Sequence, residues 1–171
     1  IGDCRSSALV SRDGSIDWLS LPRFDSPALF SRLLGREGGH WKLGPADDIR
    51  GRRSYVDGSM VVETNFQSSG GEVVIRDALA IGLHQETHAI GKDSPHVVLR
   101  EAVCTHGSME LQLEYVPRPE YGLIAPILRP VAGGVLARGG ASVLRLSSSI
   151  PLDTDITTHA RFCLKEGQRA A

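Results

Sequence analysis

Apolar and polar residues alternate along most of this chain in short runs, separated by glycine, proline and small polar residues. Runs of this kind predict β-strands at Ser7–Ser11, Ser15–Ser20, His40–Leu43, Arg52–Val56, Met60–Gln67 and Glu72–Leu79. The second half continues the rhythm at His96–Thr105, Ser108–Val116, Gly134–Arg138, Ser142–Ser147 and His159–Leu164. Successive side chains on a strand point to opposite faces, so Val62, Thr64 and Phe66 should turn inward while Glu63, Asn65 and Gln67 turn out. Met109, Leu111, Leu113 and Tyr115 form a second such inward set. Asp13-Gly14 between two runs is a hairpin signal, and Gln67–Gly71 has the composition of a hairpin loop. Val116–Gly122 contains two prolines and cannot be a central strand. Gly82–Ser94 has no clean periodicity and reads as a surface excursion.

One segment breaks the pattern. Ser26-Pro27 reads as the N-cap and first residue of a short helix ending before Gly35, with Leu29, Phe30, Leu33 and Leu34 on its apolar face. The expected fold is therefore all-β: an antiparallel, supersandwich-like β-sandwich over residues 1–171, with one short helix near the N-terminus and no evident domain boundary.

Composition narrows the functional classes. The chain has 171 residues, 41% of them hydrophobic, enough for a real core, and a net charge of −1 that argues against nucleic-acid binding. Its one basic cluster, Arg50-Gly-Arg-Arg53, reads as a solvated strand edge. Cys4, Cys104 and Cys163 are odd in number and lack CxxC spacing; Cys104 and Cys163 read as small buried hydrophobes, and a reducing, cytoplasmic setting fits. No signal peptide or membrane-spanning apolar run is present, although the chain opens on Ile1 rather than Met and reads as an excised segment. His84 and His88 place Glu86 wrongly for a metalloprotease helix and read as solvated loop histidines. No metal or cofactor is called for. Asp17, Asp25, Asp47 and Asp48 are the carboxylates available for an acid–base pair, but spacing alone does not bring two of them across a cleft.

The densest chemistry lies in Asp13–Pro27, where a hairpin and strand lead into Leu21-Pro-Arg-Phe-Asp-Ser-Pro27. Flanking prolines stiffen Arg23-Phe24-Asp25. Arg23 and Asp25 could hydrogen-bond sugar hydroxyls, with Phe24 or Trp18 offering a ring face. Equally, Arg23 and Asp25 could form a local ion pair over a buried Phe24, with Asp25 assisting the helix N-terminus.

The same residues carry a family likeness. The opening Ile1–Pro27, together with Pro117–Gly122 and Ala160–Gly167, resembles the N-terminal trehalase-like domain of bacterial glycoside hydrolase family 15 proteins, the glucoamylase and trehalase group. The resemblance implies a non-catalytic β-sandwich packing on a C-terminal (α/α)6 barrel, which carries the catalytic glutamates and lies outside this chain. It further implies that the Leu21–Pro27 loop approaches the active site, so that Arg23 and Asp25, with the ring faces of Phe24 and Trp18 read from the residues themselves, are the candidates for a composite α-glucoside site. The other classes consistent with the residues are a free-standing carbohydrate-binding module and a purely structural interaction domain.

Overall fold

A computed structural model describes residues 1–83 and 87–171. Its strands are β1 (Ala8–Val10), β2 (Ser15–Ser20), β3 (Ala28–Phe30), β4 (His40–Pro45), β5 (Arg52–Tyr55), β6 (Val62–Gln67) and β7 (Gly71–Leu79). The second half contributes β8 (Val98–Val116), β9 (Ile127–Val131), β10 (Gly134–Gly139), β11 (Ser142–Ser147), β12 (Asp153–Thr154), β13 (Thr158–Lys165) and β14 (Arg169–Ala170). All pairings are antiparallel, and the architecture is a β-sandwich. No helix among the described residues is long and apolar enough to cross a membrane.

One strand organises both layers. The runs His96–Thr105 and Ser108–Val116, expected as two strands, form the single 19-residue β8. Its first half pairs with β7 and β14, its second half with β4 and β13. The changeover lies at residues 104–107, where the register against β7 slips between Glu72 and Val73 and Gly107 takes φ 62°. A bulge and a left-handed glycine bend a strand without ending it, so one chain segment serves two sheets. A separate sheet, ordered β11-β10-β9, completes the molecule. β9 was not among the expected strands; its Pro130 is tolerated because β9 is an edge strand.

The inward phases are as expected in β6 and β8. Val62, Thr64 and Phe66 are buried, as are Met109, Leu111, Leu113 and Tyr115. They join Ile16, Phe30, Val73 and Ile75 in one core, where Tyr115 meets Phe30 and Trp41 edge-to-face at 5.9 and 5.8 Å. Arg52–Tyr55 is the exposed edge strand β5. Cys104 is buried, but Cys163 is exposed: it faces Glu110 across the β8–β13 ladder, on the outward phase.

The expected helix does not form. Ala28–Phe30 is a strand, paired with β2 through Leu19–Phe30 and Ser20–Ala28, and Ser31–Gly35 is a turn that leaves Leu33 and Leu34 65% and 68% exposed. A two-turn helix would bury one face and carry a costly nucleus. As a strand, Ala28, Leu29 and Phe30 are all buried, and the Leu29 and Ala28 carbonyls accept hydrogen bonds from the Arg118 and Tyr121 amides. Ser26 caps nothing helical; its hydroxyl accepts the Arg23 N–H.

A buried arginine, paired within its own sheet, ties β8 to β4 and the first hairpin. Asp77 of β7 and Arg100 of β8 stand opposite one another, with Arg100 Nε donating to Asp77 Oδ1 at 2.7 Å and side chains 1% and 0% exposed. Arg100 Nη1 donates to the Trp41 carbonyl in β4 and Nη2 to the Gly14 carbonyl in the β1–β2 turn, both at 2.6 Å. Its guanidinium carbon lies 5.1 Å from the Trp41 ring centroid. Removing one partner of such a pair leaves an uncompensated charge in the core. Asp77→Ala should therefore cost about 3–5 kcal/mol in urea unfolding, and the double variant Asp77→Ala/Arg100→Met should recover part of that loss.

Candidate functional site

Three sequence-distant stretches converge around the end of β2. Asp3 is buried and accepts hydrogen bonds from the amides of Arg5 and Ser6 at 2.9 and 2.6 Å and from the Ser94 hydroxyl. This knot fixes the segment before β1. From there the Ser6 hydroxyl donates to the Ser20 carbonyl, and the Arg5 carbonyl accepts the Phe24 N–H at 2.9 Å. Arg5 Nε donates to the Gly91 carbonyl. The Gly82–Ser94 segment is thus partly packed rather than wholly a surface excursion, with Gly91 and Ser94 buried. The third stretch is Pro117–Gly122, which docks on β3 through the Arg118 and Tyr121 amides. Glu120 and Tyr121 both take left-handed φ values, 56° and 59°, uncommon for residues with a side chain. The Tyr121 ring lies 6.2 Å from that of Trp18, tilted by 45°.

The loop between β2 and β3 is closed on itself. Arg23 donates to Asp25 through both Nε (2.8 Å) and Nη2 (2.6 Å), and the Ser26 N–H donates to the Arg23 carbonyl. The hydrogen bonds from Arg23 hold the Asp25 carboxyl below the usual carboxylate range and raise the guanidinium. Both side chains are largely exposed, as is Phe24 at 65%. The local ion pair is therefore present, but Phe24 is not buried beneath it. The structure joins Arg23 to Asp25; the ring partner of Trp18 is Tyr121, which sequence reasoning did not single out as a site residue. Its only signal was its place in the Pro117–Gly122 motif.

Other candidates separate. A groove of about 550 Å³ beside the β1–β2 hairpin is walled by Arg12, Asp13, Asp17, Asp48, Arg50 and Arg53, among others. It brings Asp17 and Asp48 together, while Asp25 is not part of its wall. Asp17 accepts the Ser15 hydroxyl at 2.6 Å. Burial would push the Asp13 carboxyl up, but the hydrogen bond from the Ser11 hydroxyl helps bring it down overall. Of the expected histidine pair, His84 lies outside the described residues, and His88 is exposed in a 3-10 turn, Thr87–Ala89.

A family model described as trehalase-like, N-terminal, matches residues 1–161. The chain belongs to that family. It is 31% identical to a trehalase of Mycolicibacterium smegmatis over 186 aligned positions, covering 98% of this chain and 28% of that protein. A trehalase of Mycobacterium tuberculosis is 31% identical with 98% and 27% coverage, and Trehalase 1 of Sulfolobus acidocaldarius 33% identical with 90% and 25%. The chain thus spans about a quarter of the length of these relatives. No solved structure matches it.

In this trehalase-like domain the matched residues include the whole convergent face, and Asp3 is the group that anchors its first stretch. Burial alone would push the Asp3 carboxyl up, but the hydrogen bonds from Ser94 and from the Arg5 and Ser6 amides outweigh it, so its pKa is lowered. A depressed folded pKa gives stability that is fully present above the unfolded aspartate value of about 3.9 and is lost as pH falls through the folded value. Asp3→Asn should therefore lower the urea midpoint at neutral pH, with the gap closing below about pH 4; a gap independent of pH would show that the charge is not its cause. Arg23→Ala should leave the midpoint unchanged, because its ion pair is solvated.

Proposed function

We propose that residues 1–171 form the non-catalytic N-terminal domain of a trehalase-type enzyme that hydrolyses α-glucosidic bonds. In this reading the domain packs on a C-terminal (α/α)6 barrel, and Trp18, Arg23, Phe24 and Asp25 face the junction and contribute to the α-glucoside site. The observation that carries it is the convergent face itself. The three stretches that hold the Trp18–Tyr121 ring pair and the Arg23–Asp25 fork meet there, with Phe24 and Tyr121 left open to a partner. Exposed aromatics beside a bidentate fork suit both a domain junction and sugar hydroxyls. The names and lengths of the relatives support the same assignment.

Glycoside hydrolysis by inversion needs a general acid with a raised pKa and a base across the scissile bond. Among the described residues the resolved carboxyl shifts, at Asp3, Asp13, Asp25 and Glu72, are all downward. Groups held ionised are poor general acids, and the acid, with the base that faces it across the bond, is assigned to the barrel. The free thiols Cys4, Cys104 and Cys163 support a reducing, cytoplasmic setting.

The test is trehalose hydrolysis by the 171-residue chain and by the full-length gene product. The chain alone should show none, and Asp25→Ala in the full-length enzyme should lower kcat/KM by roughly tenfold, chiefly through KM, with the unfolding midpoint unchanged. Turnover by the chain alone would overturn the non-catalytic reading. Unchanged kcat/KM would remove the loop from the sugar site and leave it a structural junction. Heat released on titrating the chain alone with maltooligosaccharides would instead support a binding module.

A further inference from the structure

The strand that both layers share is left open at its start. Over Val98–Glu101, β8 carries β7 on one side and, among the described residues, no strand on the other. On that second side β14 reaches only Val103 and Ala102, while β4 and β13 pair only from Ser108 onward. Arg169 faces Val103 and Ala170 faces Ala102, so a chain running straight on past Ala171 would pass opposite Arg100, Leu99 and Val98 in turn.

Beside this open edge lies a crevice of about 670 Å³, and its walls include a second open edge. Residues 143–147 of β11, an edge strand of the three-stranded sheet, line it together with residues 97–100. Ala171 stands at the same crevice, held by the Ser149 N–H donating to its carbonyl (2.7 Å) and by its own N–H donating to Ser149 Oγ (2.9 Å). The walls are rich in apolar side chains, with Leu99 and Val143 55% and 58% exposed. Trp41 also lines the crevice. Open strand edges and uncovered apolar residues share one need, an added backbone.

We infer that this crevice receives the polypeptide following Ala171 in the full-length protein. That segment extends β14 along Val98–Glu101, borders β11 on its other side, and joins the three-stranded sheet to the large one. The inference rests on the reading of this chain as the N-terminal part of a longer enzyme, which the length of its relatives supports. It goes further in placing the start of the following segment inside the sandwich rather than in a free linker. Strand addition supplies affinity through main-chain hydrogen bonds and selects apolar side chains at alternate positions.

Amide hydrogen exchange at Val98 and Arg100 tests it, comparing the 171-residue chain with the full-length gene product. Exchange should slow by at least roughly tenfold in the longer protein. As a second readout, Val143→Asp should leave the unfolding midpoint of the 171-residue chain unchanged and lower that of the full-length protein. Equal exchange in the two proteins, with trehalose hydrolysed by the longer one, would overturn this inference and leave the proposed function standing. A reading frame that stops at Ala171 would overturn both. Protection that appears in the 171-residue chain and grows with its concentration would make a second copy the occupant and overturn the assignment to the following segment.

Discussion

The buried Arg100–Asp77 pair is the constraint on which the sandwich depends. A guanidinium with almost no solvent exposure is tolerable only if its donors are met, and here three elements outside its own strand meet them: Asp77 of β7, the Trp41 carbonyl of β4 and the Gly14 carbonyl of the first hairpin. Each acceptor gains a charge-assisted bond, and each fixes one element relative to β8. The bulge and Gly107 let β8 pass from one sheet to the other, and Arg100 sets how the sheets meet once it has done so.

The convergent face inherits its geometry from this arrangement. Gly14, with φ 80°, accepts Arg100 at its carbonyl, and a Cβ there would lie 2.1 Å from the Leu43 carbonyl oxygen. Its position therefore sets where β2 starts, and the direction of β2 sets where Trp18 and the Arg23–Asp25 loop emerge. Asp3 performs the same task from the other side, by holding the segment whose Arg5 carbonyl receives the Phe24 amide. A solvated loop becomes a defined surface because two buried carboxylates, Asp77 and Asp3, hold the elements beneath it.

Much of the fold was legible in the alternation of residues. The inward phases of β6 and β8, the Asp13-Gly14 turn and the exposed edge at Arg52–Tyr55 follow from period-two patterning and turn chemistry, which are local. Asp77 and Arg100 also left a trace: each is a charge on an otherwise apolar inward phase, Val73-Ile75-Asp77-Leu79 and Arg100-Ala102-Cys104. Nothing in either run alone says that the two charges stand opposite one another. The helix expected over Ser26–Leu34 failed for a related reason. Its apolar spacing fitted a helical face, but β2 and Pro117–Gly122 both reach Ala28–Phe30 and hydrogen-bond its extended backbone.

The sequence by itself determined the β class, most strand boundaries and the chemical identity of the Arg23-Phe24-Asp25 turn, because these depend on neighbours a few residues apart. Only the tertiary structure decided that β8 is one strand shared by two sheets, that Trp18 lies beside Tyr121, and that Phe24 stays in solvent. It alone placed the open edges of β8 and β11 on one crevice beside Ala171. Each of these depends on which distant backbone comes to lie alongside, and long-range pairing is chosen by the burial and hydrogen bonding of the whole chain rather than by any run within it.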